Sequence, residues 1–194
     1  MKLKSAALLA ASMLMMSASA AFAHTGEYTA SGFLAGFSHP LFGADHVLAM
    51  VAVGLWAGLT GGRAQALIPA SFLAAMALGS VMGAEGLGLP AVELGIALSV
   101  VALGALVAVN PSLPVAVSMA LVAGFAVFHG HAHGAEMAEG VNGFTYGLGF
   151  IAATALLHGT GLAAVVAVKR RGPQMMLRIA GGAVGAAGVA LLAA

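Results

Sequence analysis

Of the 194 residues, 61% are hydrophobic and 7% are charged, whereas a soluble globular domain carries about 25% charged residues. So little polar surface excludes an ordinary soluble domain and implies an integral membrane protein. A net charge of +1 excludes a nucleic-acid footprint, which needs a clustered basic face. The lack of cysteine excludes disulfides, thiolate metal sites and cysteine nucleophiles.

Residues 1–23 read as a cleavable signal peptide. Lys2 and Lys4 form a basic start, an alanine-rich apolar stretch follows to about Ser17, and Ala21-Phe22-Ala23 offers a small-x-small cleavage site. Cleavage there leaves a mature domain of residues 24–194, with His24 carrying a free amine beside its imidazole.

Five polar or glycine- and proline-rich breaks, TGGR, AEGLGLP, NPSLP, HGHAHGAEMAEG and KRRGP, divide the mature chain into six apolar segments: 31–59, 64–84, 90–109, 114–130, 142–168 and 174–194. Each approaches or exceeds the roughly 20 residues that span a bilayer. With no water at that depth, each must be helical to satisfy its own backbone. The expected fold is an all-α membrane protein, a six-transmembrane-helix bundle with a broken first helix. The first and fifth segments are longer than a span requires, which implies a broken or tilted element in each.

If the mature start lies outside, then Arg63, Lys169, Arg170, Arg171 and Arg178 all fall at cytoplasmic ends, and Glu27, Glu85, Glu136 and Glu139 fall outside. This obeys the positive-inside rule. It places both mature termini on the outer side of the membrane. Glycine pairs spaced i,i+4, among them Gly54/Gly58, Gly79/Gly83 and Gly181/Gly185, suit close helix packing; they are read as generic packing.

All seven histidines belong to the mature part. Ionisable groups in a span cost on the order of 2.5–3.5 kcal/mol and persist where they line a cavity, pair or bind something. In GFSHPLFGADH, His39 and His46 are seven apart, or roughly 10 Å along an unbroken helix, too far for one ion with bonds near 2 Å. A turn at His39-Pro40 would let His39 fold back towards Asp45 and His46, as broken helices do around ion sites. Ser38 is expected to cap the helix after Pro40.

In FHGHAHGAEM, His129, His133 and Glu136 share one helical face and make a first shell for a divalent transition metal, with His131 pointing away. The bland alternative is a solvated loop loosened by Gly130 and Gly134. His158, alone in ATALLHGTG, is either a core group bonded to Thr154 or a further ligand or proton relay. Nitrogen and oxygen donors without thiolate suit nickel, cobalt, zinc or cupric ions, and the residues alone choose no further.

At these residues the chain resembles the HupE/UreJ family, membrane accessory proteins of nickel-dependent hydrogenase and urease. The pattern H-x5-D-H is met by His39, Asp45 and His46. The pattern F-H-G-x-A-H-G-x-E is met by Phe128, His129, Gly130, Ala132, His133, Gly134 and Glu136, with His131 in a free position. ATALLHGTG is similar to a further stretch of that family, and the likeness extends over the signal peptide and all six spans. The resemblance implies an inner-membrane permease with Ni2+ as the transported ion, Co2+ or another divalent metal as alternatives, and cytoplasmic nickel-enzyme maturation proteins as end users.

The expected function is therefore uptake of a divalent metal through a site of His39, Asp45, His46, His129, His133 and Glu136, with His158, His24 and His131 as further candidates. No G-x-x-x-x-G-K stretch supplies an ATP-hydrolysing loop. Acid should weaken uptake, because neutral imidazole is the binding form. The competing readings are a metal sink or sensor without transport, and an intramembrane hydrolase using Asp45 or Glu136 as base or Ser38 with His158. Oligomeric state and energy coupling are not encoded in any of these features.

Overall fold

Gly43, a single non-helical residue, splits the first apolar segment into α1 (Gly32–Phe42) and α2 (Ala44–Thr60), whose axes meet at 85°. This computed structural model describes residues 32–137 and 140–193; the signal peptide and His24 lie outside them. The remaining helices are α3 (Ala64–Ala84), α4 (Val92–Val109), α5 (Val115–Ala135), α6 (Gly143–Arg171) and α7 (Met175–Leu192). Five of them are long and apolar enough to cross a membrane, and there are up to six spans when the bent pair α1–α2 is counted as one. The architecture is all-helical among the described residues, and the chain is a multi-pass membrane protein.

The break does not fall where the sequence suggested. Pro40 lies within α1 and Ser38 does not cap α2. The Ser38 hydroxyl instead lies 2.9 Å from the Leu34 carbonyl and 3.2 Å from that of Ala35, bonding back within its own helix. Proline cannot donate the N–H that would reach Gly36, so α1 is weakened and ends two residues later. The next helix starts at Ala44 because Gly43 leaves room for the side chains that follow. A Cβ on Gly43 would stand 2.9 Å from Asp45 Oδ1 and 3.0 Å from His46 Nδ1.

The expected break at HGHAHGAEMAEG begins later than the sequence suggested. Helix α5 runs unbroken through all three histidines to Ala135. Gly130 and Gly134 do not loosen it. They press against the Met76 and Ser80 carbonyls of α3, while Gly79 and Gly83 of α3 press against the Val127 and His131 carbonyls of α5. Two glycine pairs thus bring the two backbones into direct contact. The solvated-loop reading fails because the bundle supplies a packing partner for every turn.

The same device joins α4 to α7 through Gly104 and Gly181, and α2 to α6 through Gly54, which faces the His158 carbonyl, and Gly161, which faces that of Val51. Gly36 and Gly149 join α1 to α6 in the same way, facing the Tyr146 and Phe33 carbonyls, so the glycine spacing is specific to the main helix pairings. Helix α2 occupies the middle, touching α1, α3, α4, α6 and α7, and it buries Ala49, Met50, Val53 and Trp56 completely. Leu78, Val81, Val109, Leu156, Ile179 and Val189 face outward, an apolar exterior suited to lipid. The long fifth segment is one continuous helix of 29 residues.

At the end of the bundle where α2, α4 and α6 finish, two cations from neighbouring helices close helix ends. Lys169 Nζ donates to the Gly58 carbonyl at 2.9 Å and Arg178 Nε to the Ala108 carbonyl at 2.9 Å. Unsatisfied carbonyls and the negative end of the helix dipole both favour cations there. The polar cluster occupies the opposite end.

Candidate functional site

Two sequence clusters that look separate interleave in space. His39 of α1 and His46 of α2 flank His133 of α5, with ring centroids 4.6 Å and 4.3 Å from it. His46 also meets His129, one turn deeper on α5, at 4.7 Å and 90°. Four imidazoles from three helices therefore form one continuous file. Burial deepens along it, since the His39 side chain is 30% exposed, while His133 is 2% and His129 0% exposed.

Neighbours fix the ring nitrogens. At the rim, His39 Nε2 lies 3.2 Å from Glu136 Oε2, so a carboxylate of one motif pairs with an imidazole of the other. The expected fold-back of His39 onto Asp45 and His46 is replaced by this contact, because the bend at Gly43 turns α1 away towards the end of α5. Asp45 Oδ1 lies 2.8 Å from His46 Nδ1 and accepts the His46 backbone N–H at 2.8 Å. A carboxylate only accepts, so Nδ1 carries the proton, and in the neutral ring the lone pair falls to His46 Nε2. That Nε2 is buried and has no partner, as are His129 Nδ1 and both ring nitrogens of His133.

Buried polar atoms are nearly always hydrogen-bonded, and each left bare costs about 1–3 kcal/mol. Four such atoms in one file make a concentration of unmet donor and acceptor capacity that packing does not explain. Among the described residues, no three His, Asp or Glu side chains converge closely enough to hold one ion as they stand. The rings stack edge to face instead, and rotation of a side chain would be needed to bring several nitrogens to one point.

The file continues inward through Phe72 of α3, whose ring is 6.0 Å from His129 and 5.1 Å from His158. His158 is 3% exposed, and neither of its nitrogens has a partner. The expected bond to Thr154 is not formed. Thr154 Oγ1 faces Met76 Sδ at 3.8 Å instead, because on α6 both residues point to the same buried face and Met76 fills the space between helices. His131 stands apart from the file: its Nε2 donates to the Leu87 carbonyl at 2.7 Å, fastening α5 to the loop between α3 and α4.

The HupE / UreJ protein family matches residues 12–191. The chain belongs to the HupE/UreJ family. Protein HupE of Rhizobium leguminosarum bv. viciae is 47% identical to it over 174 residues, which is 90% of this chain and 91% of that protein. No solved structure matches. In this HupE/UreJ chain, both motifs named from the sequence line the same file of imidazoles.

Three parts of the site were not read from the sequence. One is the stripe on α6 that leads to His158, namely Tyr146, Phe150 and Thr154, all buried like His158 itself. Tyr146 touches His39, Phe150 touches His133, and His158 touches Phe72. This spacing of four runs about 18 Å along a helix and forms one wall of the HupE/UreJ file. The repeat of polar or aromatic residues every fourth position was the available signal. Phe72 and Ser99, which bonds His129 at 2.7 Å, carried no signal, since an aromatic and a serine in apolar helices look like ordinary packing.

Proposed function

We propose that this HupE/UreJ chain is a permease that takes a divalent transition metal, with nickel as its ion, into the cytoplasm across the bacterial inner membrane. One observation carries the reading: a file of successively touching imidazoles with bare buried nitrogens, exposed at one end through His39 and Glu136 and buried at the other. Nitrogen and oxygen donors without thiolate suit nickel, cobalt, zinc or cupric ions alike, and the family membership favours nickel for hydrogenase or urease maturation.

The residues divide the work by position. Glu136 and His39 gather the cation at the rim. His133 and His46 receive it next, each presenting a lone pair, and Asp45 holds the His46 ring in place. His129 takes it deeper, and His158 beyond Phe72 is the inner station. Among the described residues no three side chains are set as a rigid cage, which fits modest binding from which the ion can leave, as conduction requires. A sink would need the opposite geometry, with several donors converging before the ion arrives.

The positive charges at Arg63, Lys169, Arg170 and Arg178 support a buried end facing the cytoplasm by the positive-inside rule, with the exposed rim facing the periplasm. With residues 1–23 removed as a signal peptide, His24 starts the mature chain on that side. A hydrolase using Ser38 has less support, because that hydroxyl is taken by carbonyls of its own helix.

The test is radiolabelled nickel uptake into cells or inverted and right-side-out vesicles, for wild type, His46→Ala and His133→Ala. Transport predicts loss of uptake in both variants at unchanged membrane levels. Normal influx in both would remove these residues from the path, and binding without flux in the wild type would make the protein a sink.

A further inference from the structure

We propose that Ser99 fixes the tautomer of His129 and thereby decides which ring nitrogen is bare for a cation. Ser99 lies on α4, is 0% exposed and makes two short contacts. Its Oγ is 2.6 Å from the Ile96 carbonyl oxygen and 2.7 Å from His129 Nε2.

The proton count follows from these distances. Two oxygens 2.6 Å apart need a proton between them, and a carbonyl has none to give. The single hydroxyl proton of Ser99 therefore goes to Ile96. A serine hydroxyl holds one donor and two acceptor lone pairs, so all it can offer His129 is a lone pair. His129 must then carry its proton on Nε2. In neutral imidazole the lone pair falls to the other nitrogen, Nδ1, which is the atom found buried without a partner. The opposite tautomer would set two lone pairs against each other at 2.7 Å.

A serine within a helix often bonds the carbonyl one turn back and nothing more. The second contact, to an imidazole on another helix, sets Ser99 apart. The arrangement parallels that of the neighbouring ring, where Asp45 holds His46 Nδ1 and leaves Nε2 bare. Each of these two touching rings is held through one nitrogen and left open at the other, once by a carboxylate and once by a hydroxyl. Outer-shell hydrogen bonds to histidine ligands fix tautomer and orientation in this way, and their loss costs roughly 10- to 100-fold in metal affinity or activity. Ser99 touches no ion itself; it is a positioning residue. Its effect on uptake rests on the transport reading given above, whereas its effect on the tautomer does not.

Two measurements separate these statements. The first is the 15N ring shifts of His129 in the full-length, ion-free protein in nanodiscs, assigned by comparison with His129→Gln. Wild type should show a protonated Nε2 and an unprotonated Nδ1. Ser99→Ala should lose that preference, and Ser99→Thr, which keeps the hydroxyl, should retain it. A protonated Nδ1 in the wild type overturns the assignment without reference to any variant, and so does an unchanged tautomer in Ser99→Ala. The second is nickel uptake kinetics: Ser99→Ala should raise KM roughly 10- to 100-fold with the maximal rate nearly unchanged, and Ser99→Thr should restore KM. A shifted tautomer with an unmoved KM refutes the positioning role. Absence of nickel uptake in the wild type counts against the transport reading alone, and the ring shifts still decide the tautomer.

Discussion

His39 Nε2 stands 3.2 Å from Glu136 Oε2, although 97 positions separate the two residues in the chain. This pair lines the exposed rim of the imidazole file and joins the bend of the first span to the end of α5. If the two act as one gathering site, their effects on uptake should not add. His39→Ala and Glu136→Gln are each expected to lower nickel uptake, and the double variant should be little worse than the more damaging single one. Residues in contact typically show interaction energies of about 0.5–3 kcal/mol in such cycles. Simple multiplication of the two losses would show that they serve the ion independently.

His158 gives a prediction in which stability and function move in opposite directions. Its two buried nitrogens lack partners, at a cost of about 1–3 kcal/mol for each such group. His158→Leu, which removes the polar atoms at similar volume, should raise the thermal unfolding midpoint of the purified protein in detergent while lowering nickel uptake. A lower midpoint would mean that the imidazole has a stabilising partner, and unchanged uptake would take His158 out of the path.

The contact between α3 and α5 can be tested with two glycines of one helix. A Cβ at Gly130 would run into the Met76 carbonyl, whereas one at Gly124 meets nothing within 4 Å. Gly130→Ala should therefore destabilise the protein by about 1–3 kcal/mol as the backbones are forced apart. Gly124→Ala should be neutral or stabilise by up to roughly 1 kcal/mol through helix propensity. Denaturation in mixed micelles compares the two, and equal effects would contradict backbone contact at Gly130. Because His129 and His133 flank this glycine, Gly130→Ala should also reduce uptake.

Orientation can be read directly, since the chain has no cysteine. Glu85→Cys lies in the exposed loop after α3 and Ser112→Cys in the exposed loop after α4. A membrane-impermeant maleimide applied to intact spheroplasts should label the first and spare the second until the membrane is opened. The reverse pattern would invert the proposed direction of the file and place Glu136 towards the cytoplasm.

The sequence singled out His39, Asp45, His46, His129, His133, Glu136 and His158, because ionisable groups in apolar helices are too costly to be incidental. It also placed the spans closely: the expected 64–84 is α3 as observed, and the expected 90–109 differs from α4 by two residues at its start. It fell short at HGHAHGAEM, where Gly130 and Gly134 looked like loosened helix. Glycine weakens an isolated helix, but here it admits a neighbouring backbone, and the gain appears only when α3 is in place. It fell short again at Ser38 and Thr154, whose hydroxyls found partners other than the ones their local spacing suggested.

What the chain by itself determined is the set of segments that must be helical in lipid, that the first of them is broken, and which residue types are too polar to face a membrane. These follow from local rules, because backbone satisfaction, helix period and the cost of burying charge all act within a few residues. Only the tertiary structure decided that the two motifs interleave, that Glu136 serves His39, that His133 sits between His39 and His46, and that Ser99 reaches His129. Those contacts depend on how closely and at what angle helices cross, which is set by glycines meeting backbone on another helix, and no pattern within one helix records its partner.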